Sequence, residues 1–408
     1  MPRSSILVLI FVVSQVNAEP LILPLNQFTS VGKSIINGVE GGAKLYLASI
    51  DDNSVLQQIH VQTGGRLYTL DTLNANNEDG TPRSIVLADN LYISTSNSDA
   101  VTANLTGFLY LTTKAQADDP NFSVYVIKDL HLISTKTMNA TVVILNTWLP
   151  DYIDEDEPRR LSYVTGIQQA VTTNLFFQWG VPPSNWNTVN NNNTFFMNPV
   201  VLTNKTGTTN WFFDNIEPLQ IGLDYWYFST NGPINMKIEK KYVNNRNYTT
   251  TAVNSTGLIV NNFLYREHVV NFLRDDTRSG VSGLFASAFI TSGTLGFYIQ
   301  SGWDGISYEL NQKTQIGWLY YAEDQGTQLV VNTTTSTPGT FYCQYFSHAG
   351  QLYPLTTPGS TVSPSSTQAV QTTSGIVSTT TVGTSTKGSA KGYGFQLVIG
   401  MMILMMID

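Results

Sequence analysis

Cysteine is nearly absent: Cys343 is the only one among 408 residues. No intramolecular disulfide can form, so each domain must stand on its apolar core alone. Charge is scarce as well. Charged residues make up 12% of the chain, about half the roughly 25% of an ordinary soluble domain. The net charge of −8 and the lack of any cluster of Lys and Arg exclude a nucleic-acid binder, which must neutralise phosphates. No His-Glu-x-x-His, Gly-x-Ser-x-Gly, phosphate-binding glycine loop or Cys/His metal spacing occurs, and the four histidines, His60, His131, His268 and His348, are scattered. These absences predict a protein without catalytic residues, metal or cofactor. Gly280-Val281-Ser282-Gly283 lacks the glycine spacing of a nucleophile elbow and reads as a turn. The carboxylates of Asp151, Asp154, Glu155, Asp156 and Glu157 could gather around calcium, but five like charges followed by Arg159 and Arg160 read first as a solvated interdomain loop.

What the chain has in abundance is Asn, Thr, Ser, Tyr and Phe, the composition of a neutral, strand-rich surface. Period-two alternation dominates. In 234–242, Ile234, Met236, Ile238 and Tyr242 fall on one side and Asn235, Lys237, Glu239 and Lys241 on the other, as a strand with one buried face requires. Further strands are predicted at 43–50, 67–70, 91–94, 107–113, 123–127, 141–145, 225–228, 296–300, 316–321, 328–332 and 340–346. Asn37-Gly38, Gly64-Gly65, Asp79-Gly80, Asn231-Gly232 and Asp304-Gly305 supply turns between them. Short strands at this spacing predict an all-β chain of tandem antiparallel sandwiches, with one short helix at 266–274.

The two ends carry separate signals. Arg3, the apolar run Ile6 to Val13 and the small residues around Val16-Asn17-Ala18 have the order of a secretory signal peptide over residues 1–18, so the mature chain should begin near Glu19. From Leu355 to about Lys387 the composition turns to Ser, Thr, Gly and Pro, which cannot pack a core and reads as an O-glycosylated stalk over 355–390. Residues 391–408 end in the fourteen-residue apolar run Gly394 to Ile407, short of the roughly 20 residues a helix needs to span a bilayer. Small residues lie upstream, and Gly383, Ser385, Gly388 and Ser389 are candidate attachment residues for a glycosylphosphatidylinositol anchor. A short single-pass anchor is the competing reading. Both place the body on the extracellular face of the plasma membrane, with the membrane itself as partner.

Eight Asn-x-Ser/Thr sequons stand at Asn104, Asn121, Asn139, Asn192, Asn204, Asn247, Asn254 and Asn332, and in an exported chain these predict glycosylated surface loops. All seven Trp lie after residue 147. With the charged run 151–160, this suggests a boundary near Asn146 and three β domains over 19–146, 147–245 and 246–354, a two-domain division being the alternative. Cys343 reads as a buried small hydrophobe or as an intermolecular disulfide partner. Trp186, Trp211 and Trp303 sit beside Asn, Ser, Asp and Gly, where an exposed indole could stack on a sugar ring.

A signal peptide, strands closing in hairpins such as Gly107-Phe108-Leu109-Tyr110-Leu111, eight sequons, a Thr-rich stalk and an anchor tail together resemble the nematode CUB-like secreted and surface glycoproteins. The resemblance covers the layout of the whole chain. It implies a CUB-like, jelly-roll-like sandwich over 19–146 and a setting in innate immunity to bacteria and membrane rafts, and it supplies no functional residue. The resulting expectation is a lipid-anchored surface glycoprotein that binds a glycan or protein. The alternative is a structural coat with no specific ligand. Nothing in the sequence fixes the oligomeric state.

Overall fold

The computed structural model describes residues 18–352, apart from 137, 150–158, 187–192, 205–206, 244–247, 261–266, 303, 312–313 and 336–338. The signal peptide, the stalk, the apolar tail and the acidic run 151–157 therefore lie outside the described residues. Within them the chain is nearly all strand, and the alternating segments fold as their pattern dictates. Ile234, Met236 and Ile238 are buried and Asn235 and Lys237 exposed in the strand Ile234–Glu239. Among the other expected strands, Leu91–Thr95, Ala140–Asn146, Tyr225–Thr230 and Gln328–Thr333 form with bounds within a residue or two of those expected.

Two compact units result, Met1–Phe122 with Pro182–Trp186, and Ser123–Val181 with Asn187–Asp408. The first unit pairs two four-stranded sheets. One runs in the order Leu21–Pro24, Phe108–Leu111, Lys44–Ala48, Ile85–Val86, and the other Ser34–Ile36, Leu91–Thr95, Ile59–Thr63, Arg66–Thr69. The inward residues of both, among them Leu45, Leu47, Ile59, Val61, Ile93 and Leu109, make one aliphatic core. Such a two-layer arrangement is how two half-apolar sheets remove their inner faces from water. The short helix Lys114–Asp118 is closed by a capping box in which Thr113 and Gln116 bond reciprocally, backbone to side chain, at 3.1 Å. The spare amide of the same Gln116 donates to the carbonyls of Pro182 and Pro183 at 2.9 and 3.2 Å, which fastens the 182–186 segment to this unit.

Among the described residues the second unit contains two pairs of sheets and a two-stranded sheet of Val200–Asn204 and Gly207–Trp211. In the first pair, a five-stranded sheet that includes Leu175–Trp179, Tyr225–Thr230 and Ala140–Asn146 packs on a four-stranded sheet that includes His131–Thr135, Ile234–Glu239 and Ser162–Gln169. Their shared core holds Phe177, Phe195, Phe196, Trp226 and Phe228. The strands His131–Thr135 and Ala140–Asn146 hydrogen-bond to Ile234–Glu239 and Tyr225–Thr230. The chain accordingly divides at 122/123, with 182–186 returning to the first unit, instead of near Asn146. A change in Trp content does not track which strands pair at long range.

In the second pair, one five-stranded sheet includes Arg278–Ile290, Gly339–Leu352, Ser255–Val260 and Thr314–Ala322, and the other, also five-stranded, includes Glu267–Asn271, Gln328–Thr333, Thr294–Ser301 and Asp304–Asn311. Glu267–Asn271 is a strand paired to Gln328–Thr333, whereas a helix was expected at 266–274. The β-branched pair Val269-Val270 and the waiting partner strand override local helix spacing. The sheet carrying Arg278–Ile290 and Gly339–Leu352 is covered on both faces. Leu284, Ala286, Phe341, Cys343 and Tyr345 face its partner sheet, while Phe285 and Phe346 pack on the other side with Met197, Val200, Trp211 and Phe213. Gln344 ties this second face down. Its side chain accepts from the Met197 amide at 2.9 Å and donates to the Met197 carbonyl at 2.8 Å and to Thr256 Oγ1 at 2.9 Å.

Candidate functional site

Trp211 does not offer the exposed indole that the sequence suggested. It is 8% exposed, packed edge-on against Tyr321 at 5.1 Å and tilted on Phe346 at 5.5 Å between ring centroids. Its strand Gly207–Trp211 returns antiparallel on Val200–Asn204, which carries the indole into the apolar layer over the doubly covered sheet. Trp186 is half-buried, with its ring edge-on to Phe122 at 5.7 Å. In the same segment, Ser184 N and Oγ donate to the carboxylate of Glu19 at 3.0 and 2.6 Å, so this stretch is occupied in holding the first unit together. Trp303 lies outside the described residues. The register around it places Ser301 opposite Asp304, so the reversal falls two residues before the expected Asp304-Gly305 turn, and Gly305 is part of a strand.

The sequons separate by environment. Asn104 and Asn139 are exposed in turns, Asn332 is exposed on the strand Gln328–Thr333, and Asn121 is half-buried. Asn204 ends the strand Val200–Asn204, and Asn192 and Asn247 lie outside the described residues. Asn254 differs from the rest because its amide is already engaged on every side. Oδ1 meets His348 Nδ1 at 3.0 Å and accepts from the Ala349 amide at 3.3 Å; Nδ2 donates to Asp214 Oδ2 at 2.9 Å and to the Phe212 carbonyl at 3.4 Å. Its partner Thr256 is fully buried and donates to the Tyr345 carbonyl at 2.8 Å. Asn254 thereby joins three segments that are distant in sequence, a role nothing in the bare motif Asn254-Ser255-Thr256 could signal.

The titratable groups are mostly set by burial. It pushes His268 down to about 4, with Thr249 Oγ1 at 3.2 Å from its Nε2, and lowers His131 and His348 as well. The Cys343 thiol is fully buried and pushed up, which keeps it protonated and unreactive and leaves no surface for an intermolecular disulfide. Among the described residues no group of three His, Cys, Asp or Glu side chains is placed to hold a metal ion.

One charged cluster does gather, around a tryptophan that sequence reasoning did not single out. The guanidinium groups of Arg159 and Arg160 lie 5.0 and 5.7 Å from the Trp148 ring, a cation–π arrangement. Lys240 Nζ reaches the Trp148 carbonyl at 3.5 Å. Lys128 is pushed down to about 8 by burial and then by the nearby charge of Lys240. Arg160 also donates to the Asn146 carbonyl at 3.0 Å and pairs with Asp224 at 3.4 Å. These links hold together Trp148 and Arg160, which form a bridge on either side of residues 150–158.

A different surface belongs to the first unit. Across its second sheet the register aligns Ile35, Tyr92, Gln62 and Leu67 in one row. Ile35 and Leu67 are 63% and 64% exposed at its two ends, and no sequon falls on these four strands.

Among the described residues no helix is long and apolar enough to cross a membrane. No functionally curated protein matches the chain. A solved structure, "The Triple Jelly Roll Fold and Turret Assembly in an Archaeal Virus", is similar at 13% identity over 79% of this chain and 83% of its own, with a TM-score of 0.15. At that score the likeness carries no structural argument. A family profile described as "Glycoprotein: Transmembrane glycoprotein" matches residues 40–406, which takes in the second β unit, the first from residue 40 on, the Ser/Thr-rich stretch and nearly all of the apolar tail. The chain belongs to this family of transmembrane glycoproteins.

Proposed function

We propose that the protein is a lipid-anchored glycoprotein of the extracellular surface that acts by binding a glycan or protein and not by catalysis. The observation that carries the surface-glycoprotein part of this reading is the family match running to residue 406, which takes in the apolar tail. That tail, Gly394 to Ile407, is fourteen residues long, short of the roughly 20 a spanning helix needs. Its position after small residues at Gly383, Ser385, Gly388 and Ser389 supports replacement by a glycosylphosphatidylinositol anchor. The signal-peptide pattern at 1–18 and the exposed sequons Asn104, Asn139 and Asn332 support export. Strand-built cores that need no disulfide suit a module that presents a surface. An innate immune role at membrane rafts, in the manner of the CUB-like glycoproteins, belongs to this proposal as its biological setting.

Treatment of intact expressing cells with a phosphatidylinositol-specific phospholipase tests the anchor, a chain ending at Lys391 serving as control. Release of the protein is the expected result. Retention with the apolar tail still present by mass spectrometry would replace the lipid anchor with a short membrane span. Binding is tested with the purified ectodomain against bacterial polysaccharides. Saturable binding that Trp303→Ala abolishes supports glycan recognition, and uniform lack of binding points to the coat role.

A further inference from the structure

In the last pair of sheets, Leu295, Phe297 and Ile299 of the strand Thr294–Ser301 enter the core. The alternate residues Gly296, Tyr298 and Gln300 therefore stand on the outward face. The neighbouring strand Gln328–Thr333 sets Asn332 opposite Gly296 and Val330 opposite Tyr298. Asn332 is exposed, and its side chain lies over Gly296: a Cβ at that glycine would collide with Asn332 Oδ1. The amide that would carry a glycan is thus tipped across the strand of Tyr298, whose Cα follows two residues, or about 7 Å, further along, and the Tyr298 ring extends on from there to Gly305, opposite Gln300.

Tyr298 is 38% exposed on this outward face. Its own ring rests over Gly305 of the adjoining strand Asp304–Asn311, where a Cβ would collide with Cε2, Cζ and Oη. Two glycines therefore shape this face: one lets the asparagine lean across, and the other lets the tyrosine lie down. Ser307, opposite Tyr298, is exposed and offers a hydroxyl beside the ring, and Glu309, opposite Gly296, is exposed further along the same strand. An aromatic platform with polar neighbours is the setting that takes a pyranose, whose C–H face is apolar and whose rim is hydroxyl and amide.

We propose that the N-linked glycan of Asn332 seats its core N-acetylglucosamine on Tyr298, so that the chain's own carbohydrate is the ligand of this face. The inference rests on the reading of the protein as a glycoprotein modified at Asn332. Tethering favours this occupant over a free sugar, because a covalently attached ligand on the same face acts at an effective concentration of order millimolar or above. Tyr298 is then unavailable to an external glycan.

Four proteins made in a glycosylating host test it: wild type, Tyr298→Ala, Asn332→Gln and the double variant. Peptide mapping reads occupancy of Asn332, and thermal unfolding reads the coupling. We expect Asn332 to be occupied and Tyr298→Ala to lower Tm by about 2–4 °C in the glycosylated protein, with no comparable drop in the Asn332→Gln background. Tyr298→Phe, which keeps the ring, should retain the wild-type Tm. Occupied Asn332 with the same Tyr298→Ala effect in both backgrounds would overturn the seat and leave Tyr298 a framework residue. Unoccupied Asn332 would overturn it by removing the ligand. Neither readout depends on the anchor or on an external partner, so the broader functional reading can fail separately.

Discussion

The two units meet the same problem, a β-sandwich without disulfides, with different side chains. In the first unit the core is aliphatic, built from Leu45, Leu47, Val61, Ile93 and Leu109, with Phe28 at its margin. In the second unit rings pack among the aliphatic side chains: Phe177 lies 4.9 Å from Trp226 and 5.3 Å from Phe196, and Trp318 stacks on Tyr320 at 4.9 Å. Each aromatic buries more surface than an aliphatic side chain and adds oriented ring contacts. The aliphatic core instead relies on small caps and clips at its periphery, such as the Thr113–Gln116 box and the Ser184–Glu19 pair. The second unit should therefore fail through loss of single large residues, and the first through its fastenings.

The largest effect should come from Trp226→Ala. The ring is fully buried, and its Nε1 donates to Ser162 Oγ at 3.0 Å. Truncation should cost about 3–5 kcal/mol and sharply reduce secretion, while the first unit in the same protein keeps its proteolytic protection. Gln344→Ala should follow, since it strands the buried Met197 amide and carbonyl; leaving such a group unpaired costs about 1–3 kcal/mol, measurable by denaturant unfolding. In the first unit, Gln116→Ala removes both a cap and the bonds to Pro182 and Pro183, and about 1–2 kcal/mol is expected. The checking measurement is limited proteolysis, with new cleavage confined to 182–186.

Acid should separate the units as well. His268 is held down to about 4 by burial, and His131 and His348 are lowered in the same way. A base whose folded pKa lies below its unfolded value, about 6.5, takes up protons on unfolding. Stability of the second unit should thus be complete above about pH 6.5 and decline as pH falls toward 4. In the first unit the lowered groups are Asp52, Asp79 and Asp99, each hydrogen-bonded to nearby Ser or Thr groups. Their contribution is lost only below the ordinary Asp range, near pH 4. Unfolding curves of the intact ectodomain at pH 7, 5 and 3 check the order, and His268→Gln should flatten the upper part of the decline. The smallest effect belongs to Leu67→Lys, at an exposed end of the Ile35–Leu67 row, where a change within about 0.5 kcal/mol is expected.

Much of this architecture was legible wherever one face of a strand meets water, because alternation then records the burial, as in Ile234–Glu239. It faded where both faces are covered. The thirteen-residue strand Arg278–Ile290 reads as Gly, Ser and Ala with scattered large residues, since close packing on each side leaves no polar face to mark. The expected helix at 266–274 failed for a related reason: its partner strand lies some sixty residues away. The site residues were harder still. A Trp beside Asn and Gly looks the same in sequence whether it is exposed or, like Trp211, carried by a hairpin into an apolar layer. The placing of Asn332 opposite Gly296, on the face that carries Tyr298, depends on a register that joins two strands across three intervening turns.

The short segment Pro182–Trp186 belongs to the first unit although the chain on both sides of it belongs to the second. The polypeptide therefore passes between units three times, at 122/123, 181/182 and 186/187. A single cut cannot free either one with its sequence whole. Nor could gene rearrangement move the first as an uninterrupted cassette, so the two are bound to be inherited together.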